Sequence, residues 1–167
     1  MSDGSREVVA TEKQSLRRLF GTYPTGVVFV SSVWQGEDCG MVVNSFTSVS
    51  LDPPLVAFCA ADESSTWPKI RSTGSCLVSV LDEDQGELCR NFVDRHPDRF
   101  ELSLWDRSSQ GYLAPRGRLS MLECDIFSVM RAGDHEVALL YVSHGHFGES
   151  SDPLLFSRGS FSKLSKS

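Results

Sequence analysis

The run Asn44–Ser50, NSFTSVS, carries one amide and four hydroxyls within seven residues. On an extended chain Asn44, Phe46, Ser48 and Ser50 share one face and Ser45, Thr47 and Val49 the other, so both faces present donors and acceptors. Such hydroxyls can satisfy neighbouring backbone groups or take an external partner, and buried polar groups require one or the other. The density of the run favours an external ligand. A second group follows in ESSTWPKIR, residues 63–71. Hydroxyls at a helix start, beside free backbone N–H groups, form an anion site suited to phosphate, and Lys69 and Arg71 can add positive charge. The alternative there is plain N-capping. Two later features are weaker alone. His135 follows a Gly133-Asp134 turn in AGDHE and would ordinarily cap it; Arg158 precedes Gly159 in FSRGSF and would ordinarily be solvated. Together the two early groups point to a phosphate-bearing ligand.

Other chemistries lack their residues. No GxGxxG follows a strand and no Walker-A lysine loop is present, so neither a Rossmann dinucleotide site nor an NTPase site is indicated. There is no C-x-x-C, HExxH or EF-hand pattern, and His144 and His146, though on one strand face, lack a third ligand; no metal is expected. No G-x-S-x-G elbow precedes a helix. The five cysteines (Cys39, Cys59, Cys76, Cys89 and Cys124) are scattered and odd in number, which fits small buried hydrophobes better than a disulfide framework.

These groups need positioning elements. Thr11 and Gln14 stand at capping-box spacing before a helix whose Leu16, Leu19 and Phe20 share one face, ended by Gly21 and Pro24. GVVFVSSVW predicts a strand buried on both faces, QGEDCG a turn, MVVNSFTSVS the returning strand and PLVAFCA the next, after the Asp52-Pro53-Pro54 break. SSTWPKIRSTG predicts a short helix closed by Gly74, and SCLVSVL a strand. Asp82 with Gln85 opens a third helix through about Phe92. Residues 96–117 read as irregular. RLSMLECDIFSVM, EVALLYVSHGHFG and PLLFSRGSFSKL are strand-like, separated by turns at RAGDH and ESSD. Short strands with two or three helices predict a mainly β fold, a closed or nearly closed β-barrel with peripheral helices.

At 167 residues one domain is expected, with a flexible N-terminal segment at 1–12, the domain at 13–164 and a tail at 165–167. The net charge of −6 argues against nucleic acid or anionic membrane as partners but leaves room for a small anion held by local donors. No apolar run approaches a membrane span and no signal pattern opens the chain, so a cytoplasmic location is expected.

Taken in order, PTGVVFV, GMVVNSFTSVSLDPPLV, SSTW, FVDRHPDRF, LECDIF, AGDHEVALL and PLLFSRG resemble the short-chain flavin reductase family over nearly the whole chain, Leu16 to Leu164. The long NSFTSVSLDPP is the most specific element, and the others gain weight in series. The resemblance implies an FMN-binding split barrel that reduces FMN or FAD with NADH or NADPH, often for a partner monooxygenase, and usually as a homodimer. It places Gly40, Met41, Val42, Asn44 and Ser45 against the flavin ring, with Cys59, Ala60 and Ala61 lining the same pocket. Ser65 and Thr66 would hold the phosphate, and Asn91 and Phe92 would approach from the second helix of the pocket. His135, as nicotinamide orienter or proton relay, and Phe156, Ser157, Arg158 and Gly159 fall in the region that meets the nicotinamide nucleotide. Ser157 departs from the aromatic or histidine the family often has there, and GSFSKL is less basic than the usual tail. Trp67, Phe92 and Trp105 are the expected interface aromatics. A flavin carrier without turnover is the alternative on the same fold; a pyridoxamine-phosphate oxidase-like enzyme has no sequence support.

Overall fold

Val28–Trp34 (β2) separates two hydrophobic cores, which explains its unbroken apolar run. Side chains alternate along a strand, so Val28 and Val30 enter one core while Val27 and Phe29 enter the other. The computed structural model describes residues 12–148 and 152–164. Helix α1 is Lys13–Phe20, with β1 at Thr25–Gly26 ahead of β2. Then follow β3 (Glu37–Val43), β4 (Thr47–Leu51), β5 (Pro54–Ala61), α2 (Trp67–Thr73), β6 (Ser75–Val80) and α3 (Gly86–Val93). Two 3-10 turns, Pro97–Phe100 and Leu102–Leu104, precede β7 (Trp105–Arg107) and β8 (Leu113–Pro115). The long hairpin β9 (Ser120–Ala132) and β10 (His135–Phe147) and the short one β11 (Leu155–Ser157) and β12 (Ser160–Ser162) complete the fold.

Seven strands form one antiparallel sheet in the order β3-β2-β6-β9-β10-β5-β4. β3 and β4 lie at its opposite edges, yet only Asn44–Phe46 joins them. Laid flat, seven strands would span roughly 29 Å at about 4.8 Å per step, whereas three residues reach only about 10 Å. The sheet must therefore curl until its edges meet, giving a barrel open along one seam. Ser45 fastens that seam: its hydroxyl donates to the Cys59 carbonyl at 3.0 Å and accepts from the Cys59 N–H at 2.9 Å. β1, β11 and β12 make a small separate sheet, and β7 with β8 another.

The first core fills the barrel, with Phe58, Val78, Leu140 and, from α2, Trp67 and Ile70. The second lies outside β2 under α3 and the β11–β12 hairpin, around Phe29, Leu81, Leu88, Trp105 and Leu154. The buried β2 serines are satisfied: Ser31 donates to the Leu113 carbonyl at 2.7 Å, and Ser32 meets Thr73 and the Ser75 carbonyl. Burial pushes the Cys39 and Cys76 thiols up, and those of Cys89 and Cys124 up to about 12. Cys59 alone of the five is exposed.

Several expectations are corrected. MVVNSFTSVS is two strands rather than one, because the chain leaves β3 at Val43 to cross the seam. β4 is a largely exposed edge, not a buried polar strand. The turn in QGEDCG is Gln35-Gly36, both with positive φ as a two-residue hairpin turn requires, and Glu37 onward is already strand. PLLFSRGSFSKL is likewise split, by an Arg158-Gly159 turn. Residues 96–117 hold a short hairpin rather than irregular chain throughout. α1 buries none of its residues in the subunit, leaving Leu19 and Phe20 exposed, and its expected cap Thr11 lies outside the described residues. Trp67 and Trp105 are buried inside the subunit, so neither is an interface aromatic. The Asp82–Gln85 pair does act as expected at the start of α3, with the Asp82 N–H donating to Gln85 Oε1 at 2.8 Å.

Candidate functional site

A cavity of about 360 Å³ opens where β3, the start of α2 and the end of α3 converge. β3 supplies Gly40, Met41 and Val42, the α2 entry Ser64, Ser65, Thr66 and Lys69, and α3 Phe92 and Val93. Arg95, just after α3, and Arg99, in the 3-10 turn Pro97–Phe100, complete the wall. The volume falls within the range of small-molecule sites, roughly 300–1,000 Å³.

Each wall has a local cause. Pro68 in the first turn sets the α2 entry, and Gly74 in the left-handed conformation ends the helix. Ser64 caps it, its Oγ accepting the Trp67 N–H at 3.0 Å. Capping is thus discharged by Ser64, and the Ser65 and Thr66 hydroxyls face the cavity without a hydrogen-bond partner among the described residues. Phe92 is wedged between Phe29 (4.7 Å), Phe100 (5.2 Å) and Trp105 (5.6 Å), which fixes the α3 wall on the outer core. Arg99 is held by donating to the His96 carbonyl at 2.9 Å, with its guanidinium over Phe100. Arg95 has positive φ, and Lys69 lies over the Trp34 ring at 5.0 Å.

Three cations therefore line the cavity, and among the described residues none of them forms an ion pair. In a chain of net charge −6 this is a local reversal of sign suited to an anion. Arg71, expected to contribute, does not: it donates to Glu136 Oε1 at 2.7 Å while Trp67 Nε1–H donates to Oε2 at 2.7 Å, tying α2 to β10. The Trp67 bond, then the Arg71 bond, holds the Glu136 carboxyl below its usual value of 4.5. A depressed carboxylate adds stability that is complete above the unfolded-state value and lost as pH falls through the folded one. The melting temperature of Glu136→Gln should accordingly differ from that of the native protein above pH 4.5 and converge on it as pH falls below 4.5 through the lowered folded-state value. A constant gap between pH 7 and pH 3 by scanning calorimetry would contradict this.

The structure brings Gly40, Met41, Val42, Ser65, Thr66 and Phe92 to the cavity and leaves the remaining expected residues outside it. Ala60 is 1% exposed and points into the barrel core, so its side chain lines no pocket. Ser45 is engaged with Cys59, and Asn91 offers its carbonyl to the His96 N–H. Asn44, Cys59 and Ala61 do not line the cavity but lie near lining residues along the chain: Asn44 is two residues beyond Val42, and the Ala61 carbonyl accepts the Ser64 N–H at 2.9 Å. His135 pairs with Ala61 across β5 and β10. Its Nδ1–H donates to Asp134 Oδ1 at 2.7 Å, since an ionised carboxylate only accepts, and among the described residues Nε2 has no hydrogen-bond partner. Phe156 packs on Phe161 at 5.4 Å, while Arg158 and Gly159 line a different groove beside α1. Arg95, Arg99 and Val93 were not anticipated; the signal available was two arginines four residues apart directly after a helix end. Among the described residues no group of three or more His, Cys, Asp or Glu side chains could hold a metal ion, and no helix is long and apolar enough to cross a membrane.

Residues 20–165 match the model of the flavin reductase like domain. The chain belongs to the flavin reductase-like family. Its mainly β, open-barrel architecture with peripheral helices is the split barrel of that family's solved structures. A flavin reductase of Pseudomonas putida is 37% identical, over 96% of this chain and 96% of the relative. The reductase subunit HsaB of a flavin-dependent monooxygenase of Rhodococcus jostii is 35% identical, over 97% of this chain and 83% of that one. The Streptomyces globisporus NADH:FAD oxidoreductase, solved with NAD and FAD fragments, superposes with a TM-score of 0.89 at 34% identity, covering 96% and 98% of the two chains.

Proposed function

We propose that the protein is an NAD(P)H:flavin oxidoreductase that reduces FMN or FAD and supplies reduced flavin to a partner monooxygenase. The observation that carries this reading is the lining of the cavity, which combines free hydroxyls and the cations Lys69, Arg95 and Arg99 with the apolar side chains of Met41, Val42 and Phe92. That donor set fits a ligand with a phosphate at one end and a planar ring at the other. Flavin, when bound, supplies the ring whose N5 accepts hydride from nicotinamide C4.

The chain's own residues position and shield. Ser65, Thr66 and the three cations would hold the phosphate, and Gly40, Met41 and Val42 of β3 would flank the ring. The Asn44 amide, without a hydrogen-bond partner among the described residues, would be available to the ring's polar edge, and Cys59 and Ala61 would border the same ligand. His135, with Nδ1 fixed by Asp134, offers Nε2 to orient the nicotinamide or relay a proton. The chemistry asks mainly for two rings held face to face, which is why no acid–base dyad is required.

A homodimer in the cytoplasm, where the nicotinamide pool is, is the working form. Its support is the apolar surface each subunit leaves open: Leu51 (94% exposed), Tyr23 (75%), Phe20 (67%) and Phe127 (59%). The test is to mix protein with NADH or NADPH and FMN or FAD and follow nicotinamide oxidation at 340 nm, roughly tens of turnovers per second being ordinary for an enzyme. Tight flavin binding without turnover for any pair would instead establish a carrier.

A further inference from the structure

Glu136 shares a face of β10 with Ala138 and Leu140, which are core residues of the barrel. Its carboxylate therefore stands in line with the barrel interior, where α2 packs Trp67 and Ile70 on the same core. The two oxygens are divided between two turns of that helix: Oε2 accepts the Trp67 indole N–H and Oε1 a guanidinium N–H of Arg71, each at 2.7 Å. Trp67 and Arg71 are four residues apart, so they lie on one helical face, one turn after the other. Bonds to successive turns stop a helix from rotating and from sliding. The Trp67 ring, buried against Phe58 at 5.2 Å, resists both movements as well. The Arg71 side chain is half exposed, and an ion pair of that kind adds little stability. What the clamp fixes is position.

The segment it fixes lies just before the helix. Residues 62–66 join β5 to α2 and carry Ser65 and Thr66 to the cavity, with Lys69 in the first turn beyond. The same segment is strapped a second time. The Asp62 N–H donates to the Asp134 carbonyl at 3.0 Å, and Arg131 donates to Asp62 Oδ2 at 2.7 Å. Both straps run to the β9–β10 hairpin, so the hydroxyls and the ammonium take their place from a long, paired strand rather than from their own short loop. Binding groups have to be held within roughly 0.5 Å of the productive geometry, and residues behind them do the holding. Glu136 itself does not line the cavity. Building on the flavin-site reading, we propose that Glu136 is a positioning residue that keeps Ser65, Thr66 and Lys69 in register for the flavin phosphate.

This role predicts a change opposite in sign to that of the charge. A carboxylate near a phosphate site weakens the binding of a dianion through its field, so its removal by charge alone would tighten FMN binding. Loss of the clamp loosens it. The test titrates full-length native protein, Glu136→Gln and Trp67→Phe with FMN and with riboflavin, which lacks the phosphate, by quenching of flavin fluorescence. The amide of Glu136→Gln still accepts the indole N–H but turns N–H groups toward Arg71, breaking one arm. Trp67→Phe breaks the other without a change of charge and keeps an aromatic ring in the core.

The expected result is an FMN Kd raised on the order of tenfold in both variants, with the riboflavin Kd unchanged. Unchanged or tighter FMN binding in the variants overturns the assignment, and so does an equal loss for riboflavin, which a purely structural role would give. Native protein that binds FMN no more tightly than riboflavin would overturn the phosphate placement and this role with it. A preference for FMN that the variants lose upholds the role even where no pair of nicotinamide and flavin turns over, an outcome that would overturn the reductase reading alone.

Discussion

Ser65→Asp is expected to weaken flavin binding by two or more orders of magnitude while leaving the fold intact. Ser65 is exposed in the cavity, its hydroxyl is not used by the protein among the described residues, and Ser64 already caps α2. A carboxylate at this position would face a phosphate about 4 Å away, a repulsion of roughly 4 kcal/mol at the effective dielectric of a protein surface. At about 1.4 kcal/mol per decade that amounts to some two to three orders in Kd. Aspartate is also tolerated at helix starts, so the melting temperature should hold. Ser65→Ala, losing only a hydroxyl, should cost about tenfold. Titration of flavin fluorescence reads both, and equal affinity for the native protein and Ser65→Asp would place the phosphate elsewhere.

The second large effect is expected from Gly40→Ala. A Cβ added there would overlap the Phe29 ring, with Cε1 at 2.9 Å and Cζ nearer still. Phe29 has no exposed surface and nowhere to go, because Phe92 and Trp105 hold it at 4.7 and 4.8 Å. Overpacking of this kind costs about 1–3 kcal/mol, and in a domain of this size each kcal/mol lowers the melting temperature by roughly 2–4 °C. The displacement also has a direction. Phe29 pushed outward drives Phe92 toward the cavity it lines, so flavin affinity should fall with stability. Gly40→Ala combined with Phe29→Leu should recover part of both losses, a coupling that a double-mutant cycle measures. Additive losses in that cycle would show that the ring does not transmit the change.

How far the sequence foretold the molecule depended on whether the cause was local. The α2 entry was legible because Ser64, Ser65, Thr66 and Lys69 fall within six residues and helix starts are governed by near neighbours. β2 was legible because a strand between two cores must be apolar on both faces. The β3–β4 break was not, since its cause is the curl of the sheet and the bond of Ser45 to Cys59, fourteen residues away. For the same reason the hydroxyl run was half misread: its serine at the seam serves the backbone, and the rest lies on an exposed edge. Arg71 was credited with a charge that Glu136, distant in sequence, consumes, while Arg95 and Arg99 reach the cavity only through the packing of α3. The exposed face of α1 was legible as apolar, but not that the subunit would leave it uncovered.

The distribution of thiols has a practical side. Four of the five cysteines are buried, with thiols less acidic than usual, and an alkylating reagent in neutral solution meets mainly Cys59. That residue stands on the seam, its backbone bracketed by the Ser45 hydroxyl. The native sequence thus carries one addressable labelling point on the barrel edge, to which a reporter group can be attached without introducing a single foreign residue.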